Sequence, residues 1–163
     1  ESMKSQRPDK APVSVSQEIA AAPERIWALV TYLPRMNEWS PENNGGEWSE
    51  GATGPALGAL FKGKNSNKNR KWSTTVEVIA FDAPTKFAFA LRVGKSHWCD
   101  WVYEIEPTAT GSRVTHSWID RRGKFTDWLG GIISKVDNRA EHNGKNMAIT
   151  LAALAATAVS EAH

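Results

Sequence analysis

The sequence predicts an α+β domain in which a curved antiparallel sheet of about seven strands wraps around one long C-terminal helix. Segments of strand-like alternation follow one another at short intervals and are joined by turn residues, as in an antiparallel meander. A short helical pattern follows the first of these segments, and a long pattern of helical period ends the chain. The long helix carries an apolar stripe that needs to be buried, and the concave face of the sheet is the surface available to it.

The first elements are marked by alternation and by a helix start. Residues 13–19 alternate between apolar and polar side chains, which predicts a strand. The tripeptide Ala-Pro-Glu at 22–24 then favours a helix, because proline suits the first turn and glutamate suits the positive helix end. Pro34 ends this helix or begins a second short helical turn over residues 35–38.

The remaining strands are predicted from their β-branched and aromatic content between turns. They cover residues 45–51, 59–65, 72–79, 87–92, 98–106 and 113–119, which gives the order β-α-α-β6-α with the last helix. Residues 65–69 are typical of a turn, so the strands on either side should form a hairpin. From about residue 124 to 160 the period is helical, and the glycine pair at 130–131 predicts a kink or break near its start.

Length and composition bound the class of protein. The chain has 163 residues, which suits a single domain over residues 13–160 after a flexible polar arm at 1–12. A net charge of +2 gives no indication of nucleic-acid binding. Cys99 is the single cysteine, so an internal disulfide is excluded. No apolar run approaches the roughly 20 residues that cross a bilayer, and the polar first residues are unlike a signal peptide, so we expect a cytoplasmic protein without a transmembrane segment.

Strand parity predicts which side chains face the interior, because alternate residues of a strand point to opposite faces. Taking Glu77 as exposed places Ser73 and Thr75 outward as well. The predicted ligand-binding set on the inner face is Trp72, Phe89, Trp101, Tyr103, His116 and Trp118, with Asn143 and Met147 from the long helix and Met36 and Trp39 near an opening. These residues indicate either a pocket for a small hydrophobic molecule or a solid core filled by aromatic rings.

Several segments of the chain carry a resemblance to a known superfamily. They are APERIWALV at 22–30, RMNEWSP at 35–41, GPALGALFKG at 54–63, WSTT at 72–75, GSRVTHSW at 111–118 and the pair at 142–143. Residues 13–158 resemble the START-like (SRPBCC) superfamily, the helix-grip fold of the Bet v 1 allergens, and in particular its polyketide cyclase/dehydrase branch. The resemblance implies a sheet wrapped on a long helix around an internal apolar cavity. It implies no single reaction, since fold alone does not fix function.

His116 is the strongest candidate for acid–base chemistry, with Tyr103 as a polar support, because imidazole titrates near neutral pH and both face inward. A neutral core histidine bonded to a neighbour is the competing interpretation. Cys99 and His116 on adjacent strands could form a nucleophile pair, although no oxyanion motif accompanies them. His97, Cys99 and Asp100 cannot all point the same way along one strand, so we predict no metal site, and the chain has no cofactor-binding motif.

Three functional hypotheses follow. The first is binding of a hydrophobic ligand, a lipid or a polyketide-like compound, in the cavity. The second is a cyclase or dehydratase that uses His116. The third is an interaction module that uses the basic stretch Lys62, Lys64, Lys68, Arg70 and Lys71, which is also typical of a solvated hairpin that protects a sheet edge. The sequence leaves open whether the protein forms a homodimer.

Overall fold

The computed structural model describes residues 12–121 and 139–161, which form seven strands and three helical segments. The elements are β1 (Val13–Ile19), α1 (Pro23–Val30), a 3₁₀ helix (Leu33–Glu38), β2 (Asn43–Ser49), β3 (Leu60–Asn67), β4 (Arg70–Asp82), β5 (Lys86–Val93), β6 (Ser96–Thr108), β7 (Gly111–Asp120) and α2 (Arg139–Ser160). The predicted fold class and element order are confirmed.

All seven strands belong to one antiparallel sheet with the order β1-β7-β6-β5-β4-β3-β2. Strands β2 to β7 are therefore a meander of sequential neighbours. β1 adds to the far edge beside β7, with Val13 opposite Trp118. The helix α2 packs against β1 and β7, and α1 packs against β6, β7 and α2.

The apolar core fills one end of the space between the sheet and the helices. Leu151, Leu154 and Ala158 of α2 are buried there, one helical turn apart, as the apolar stripe predicted. They meet Phe87 of β5 and Ile26 of α1 in the same cluster. Each fully buried leucine or phenylalanine contributes about 1.5–3 kcal/mol to the stability of the fold.

Several predicted boundaries differ from the observed ones. β3 continues to Asn67 and β4 starts at Arg70, so the hairpin turn is the dipeptide at 68–69 and not the five residues from 65 to 69. Lys68 adopts a left-handed φ of 57°, as a two-residue hairpin turn requires. β2 begins two residues earlier than predicted. The expected kink at 130–131, the first part of the long helix and the arm up to residue 11 lie outside the described residues.

An exposed charge network fixes the end of α2. Glu161 lies 2.7 Å from guanidinium nitrogens of both Arg25 and Arg35, and Arg35 also pairs with Glu38. Hydrogen bonds from Arg35 and then Arg25 lower the pKa of Glu161. Both arginines lie on the first two helical segments, so the network joins three helical segments. None of the helices within the described ranges has the length and hydropathy needed to cross a membrane.

Candidate functional site

A cavity of about 480 Å³ lies between the concave face of the sheet and the first half of the described α2. The cavity adjoins the core. On β7, Val114 belongs to the core, and His116 and Trp118 line the cavity. On β6, Ile105 belongs to the core, and Tyr103 belongs to the core and also lines the cavity. The volume falls within the usual range of small-molecule sites, about 300–1,000 Å³.

The structure brings most of the predicted binding set together around this cavity. The lining residues of that set are Met36, Trp72, Phe89, Trp101, Tyr103, His116, Trp118, Asn143 and Met147. Ser73 and Thr75, which parity placed outward, also border the cavity. Whether any of these residues contacts a ligand stays a prediction.

Trp39 is the exception within the predicted set. It follows the last residue of the 3₁₀ helix, so its direction is not fixed by helical spacing. Its ring is buried in the core, with the guanidinium of Arg35 5.6 Å from the ring centroid. The other side of Trp39 borders a shallow surface depression next to Ile149 and Ala153, and not the cavity.

One side of the cavity is built from cross-strand pairs of rings, which we call the aromatic wall: Trp101, Tyr103, His116 and Trp118. Trp101 is directly opposite Trp118, with ring centroids 6.3 Å apart. Tyr103 is directly opposite His116, and their rings stack at 4.0 Å with an angle of 8°. Directly opposite side chains of one sheet face interact most strongly, so the antiparallel register itself assembles this surface.

His116 is a neutral group in this wall. It is 4% exposed, and desolvation lowers its pKa to about 4, although a hydrogen bond to the Val102 carbonyl opposes the shift. Its Nδ1 lies 3.0 Å from that carbonyl oxygen. Because a carbonyl only accepts, Nδ1 carries the proton and Nε2 is left as an acceptor. At neutral pH, His116 can therefore accept a hydrogen bond at Nε2 and has no second proton to give.

Tyr103 supplies the complementary group. It is 3% exposed, and burial raises the pKa of its hydroxyl above the ordinary value of 10.0. The phenol therefore stays protonated under all physiological conditions and can donate a hydrogen bond. The stacked pair thus offers one acceptor and one donor in an otherwise apolar surface.

The proposed Cys99–His116 pair is wrong. Cys99 is opposite Asp120, whereas His116 is opposite Tyr103, four residues further along β6. That offset corresponds to about 13 Å along the strand, which is far beyond the reach of a proton transfer. Among the residues with described positions, no three His, Cys, Asp or Glu side chains come close enough to hold a metal ion.

The opposite side of the cavity is polar, and we call its members the polar wall. They are Ser40, Glu42, Asn43, Asn65, Asn143 and Asn146, from the loop after the 3₁₀ helix, β2, β3 and α2. Glu42 is held in place by two neighbours: its Oε2 lies 2.7 Å from Asn67 Nδ2 and 2.5 Å from His142 Nε2. Asn67 belongs to β3 and His142 to α2, so the carboxylate links the sheet to the helix.

The sequence profile of the family described as polyketide cyclase/dehydrase and lipid transport matches residues 10–158. The chain belongs to this family. No curated protein matches it. The solution structure of the Polyketide_cyc-like protein Cgl2372 from Corynebacterium glutamicum is 30% identical, with 96% of each chain covered and a TM-score of 0.61.

Two further structures share the fold at lower identity. The di-domain ARO/CYC protein StfQ of the steffimycin biosynthetic pathway is 12% identical, with a TM-score of 0.73, and the match covers 98% of this chain and 54% of that one. The protein NE0264 from Nitrosomonas europaea is 13% identical, with a TM-score of 0.68 and coverage of 96% and 98%.

Sequence reasoning found Asn143 but missed the other five members of the polar wall of this polyketide cyclase/dehydrase family protein. Asn146 lies three residues after Asn143 on α2, so helical spacing could have found it. Asn65 shares the parity of Phe61, but the sequence places it at the end of a strand and at the start of a turn, where parity gives no clear direction. Glu42 lies in a loop and its partners are 25 and 100 residues away, so no local signal marks it.

Proposed function

We propose that this polyketide cyclase/dehydrase family protein binds a small hydrophobic molecule, a lipid or a polyketide-like compound, in the internal cavity. The observation that supports the proposal is the aromatic wall, whose four rings border a cavity of about 480 Å³. Aromatic rings around a cavity offer a guest a large apolar contact area at fixed geometry.

The stacked pair of Tyr103 and His116 supports an oriented ligand. A guest that fills the cavity covers both groups, and each polar group it covers without a partner costs about 1–3 kcal/mol. A ligand oxygen near the pair can accept from the Tyr103 hydroxyl, and a ligand hydroxyl can donate to Nε2 of His116. The proposed ligand is therefore mostly apolar and carries at least one oxygen.

The same geometry favours binding over the cyclase or dehydratase hypothesis. A general acid at neutral pH needs a proton to give, and burial holds the pKa of His116 at about 4. An imidazole with that pKa is also a weak base. Tyr103, whose pKa burial raises, does not release its proton readily either.

The test is equilibrium dialysis with pyrene, a planar apolar probe, at neutral pH. We expect saturable binding of one pyrene per chain. Trp101→Ala should weaken it about tenfold, since an aromatic contact in a dry site contributes about 1 kcal/mol beyond its buried area. Trp27→Ala is the matched control, because Trp27 packs on Phe81 and Phe87 away from the cavity. Absence of saturable binding, or equal losses in the two folded variants, would reject the proposal.

The cytoplasmic location and the homodimer stay predictions. Cell fractionation tests the first, since recovery in a membrane or exported fraction would contradict it. Light scattering during size-exclusion chromatography tests the second, and the mass of one chain, 18.0 kDa, would rule the dimer out.

A further inference from the structure

We propose that the cavity takes a ligand whose apolar body ends in an anionic group, and that two lysines at the open end of the cavity bind this group. The inference rests on the proposed function and adds the charge and the orientation of the ligand. The open end lies where the β3–β4 and β5–β6 hairpins turn, and we call it the cavity mouth. Its lysines are Lys71 of β4 and Lys95 of the turn between β5 and β6.

The position of the cavity mouth follows from the exposure of the lining residues. Along β5, Val93 is 41% exposed, Leu91 is half-buried and Phe89 is 4% exposed, and all three line the cavity. β6 runs antiparallel to β5 and shows the same gradient, from the half-buried Trp98 near its start to the buried Tyr103. The cavity therefore opens towards the β5–β6 turn and closes towards the core.

The register of β4 and β5 leaves a gap in the sheet at this end. The pairing of these strands starts with Thr75 opposite Arg92, so residues 70–74 of β4 have no partner on β5. They pair with β3, and the β3–β4 hairpin therefore extends beyond the β5–β6 hairpin by about four residues, or about 13 Å. Trp72 and Ser73 lie in this stretch and line the cavity, so the mouth borders the gap.

The two hairpins bring cations to the mouth without acids beside them in the chain. Residues 51–76 and 83–99, which hold both hairpin turns, contain no aspartate or glutamate. Lys71 and Lys95 are exposed, and neither forms an ion pair with a residue of the two described ranges. A ligand anion at the mouth therefore has no existing ion pair to displace, and the flexible stem of lysine lets the ammonium group reach it.

Two carboxylates near the cavity are each bonded to basic side chains. Glu77 of β4 lies 3.0 Å from His97 and 3.8 Å from Arg92. Glu42 of the polar wall lies 2.5 Å from Nε2 of His142. Both negative charges are thus partly compensated by their neighbours, whereas the charges of the two mouth lysines are not.

An apolar body with an anionic end fits this cavity in one direction. The interior behind the mouth is bordered by the buried side chains of Phe89, Trp118 and Met147, where a charge without a counter-ion is strongly disfavoured. The apolar body therefore lies inside, along the aromatic wall, and the anionic end stays at the mouth in contact with water and the two lysines. An ammonium end in the same place would be repelled by them.

The test compares three pyrene derivatives that differ in the charge at the end of a short chain: 1-pyrenebutyrate, its neutral methyl ester and 1-pyrenebutylammonium. In equilibrium dialysis at neutral pH and about 10 mM salt, where the Debye length is about 30 Å, the butyrate should bind about tenfold more tightly than the ester. At about 1 M salt, where the Debye length is about 3 Å, most of this preference should disappear. The ammonium compound should bind less tightly than the ester.

Two double variants separate the mouth from the net charge of the protein. Lys71→Gln combined with Lys95→Gln should remove the preference for the butyrate, while pyrene itself binds as before. Lys86→Gln combined with Arg113→Gln is the matched control, because it removes the same charge from exposed positions at the closed end of the cavity, opposite Glu104 and Glu106. The control should keep the preference.

Equal binding of the butyrate and the ester by the wild type would overturn the inference. An unchanged preference in the mouth variant, or equal losses in the two double variants, would overturn it as well. Tighter binding of the ammonium compound than of the butyrate would show a cationic ligand instead. Failure of pyrene and of all three derivatives to bind would reject the proposed function, and this inference with it.

Discussion

The ring of Tyr103 lies flat on the imidazole of His116, with centroids 4.0 Å apart and planes 8° from parallel. The two residues are 13 positions apart in the chain and directly opposite each other in the register of β6 and β7. Desolvation by burial keeps the imidazole neutral, and the Val102 carbonyl at Nδ1 fixes its tautomer. The pair is thus a rigid part of the cavity surface.

The buried state of His116 predicts a stability that depends on pH. The folded pKa of about 4 is below the ordinary value of 6.5, so between these values the unfolded chain binds a proton that the folded chain does not. The part of the free energy of unfolding that depends on the neutral His116 is fully present above pH 6.5 and is lost as the pH falls to 4. The loss amounts to about 3 kcal/mol in the free energy of unfolding, to be measured by urea denaturation at a series of pH values.

A variant without His116 separates its contribution to the pH dependence of stability from that of the carboxyl groups, which also titrate at low pH. His116→Gln does not titrate, so its free energy of unfolding should fall less steeply over the same pH range. Parallel curves for the wild type and His116→Gln would show that His116 is not buried in its neutral form.

Because Arg121 pairs with Asp100, removing its side chain should destabilise the protein more than removing that of Arg113. Asp100 is 3% exposed, and Oδ2 lies 2.6 Å and 2.7 Å from two nitrogens of Arg121. Its Oδ1 is buried without a hydrogen-bond partner among the residues of known position. Arg121→Ala leaves this buried carboxylate unpaired and should lower the free energy of unfolding by about 1–3 kcal/mol.

The control for this prediction is Arg113→Ala, at an exposed position of β7, which should change stability by no more than about 0.5 kcal/mol. Adding Asp100→Asn to Arg121→Ala removes the unpaired charge and should restore part of the loss in chemical denaturation. A loss that is equal for both arginines would show that the pair contributes nothing specific.

Replacing Gly94 or Gly111, which lie in two different hairpin turns, by alanine should destabilise the protein by different amounts. Gly94 has a φ of 64° with open space around it, so Gly94→Ala should lower the free energy of unfolding by about 1–2 kcal/mol. Gly111 has a φ of 155°, and an added Cβ would overlap the Ile19 carbonyl and come within 2.7 Å of the Ala21 nitrogen. Gly111→Ala should therefore lower the melting temperature clearly more than Gly94→Ala, and an equal shift would contradict the close packing of the β6–β7 turn on the end of β1.

The fold and the aromatic wall could be predicted because they depend on periodicity. Alternation along β6 placed Trp101 and Tyr103 on one face, and alternation along β7 did the same for His116 and Trp118. A strand has a period of two, so one exposed residue settles the face of all the others. The same argument placed Ser73 outward, and the structure has Ser73 exposed and opposite the exposed Lys64.

Residues outside regular elements could not be placed in this way. Trp39 follows a short 3₁₀ helix, and Glu42 lies in the loop after it, where no period applies. The Cys99–His116 pairing was wrong for a related reason. The sheet face of each side chain was predicted correctly, but the register of the two strands was not. A shift of four residues along neighbouring strands keeps every side chain on its face and still separates two groups by about 13 Å.

The amino-acid sequence by itself determined the α+β class, the seven strands, the apolar stripe of α2 and the inward direction of the aromatic rings, because local spacing fixes the face on which each side chain lies. Only the tertiary structure decided the strand register that stacks Tyr103 on His116, the neutral state of that imidazole and the polar wall around Glu42. These features depend on contacts between residues as far as 100 positions apart, and such contacts exist only once the sheet has closed on the helix.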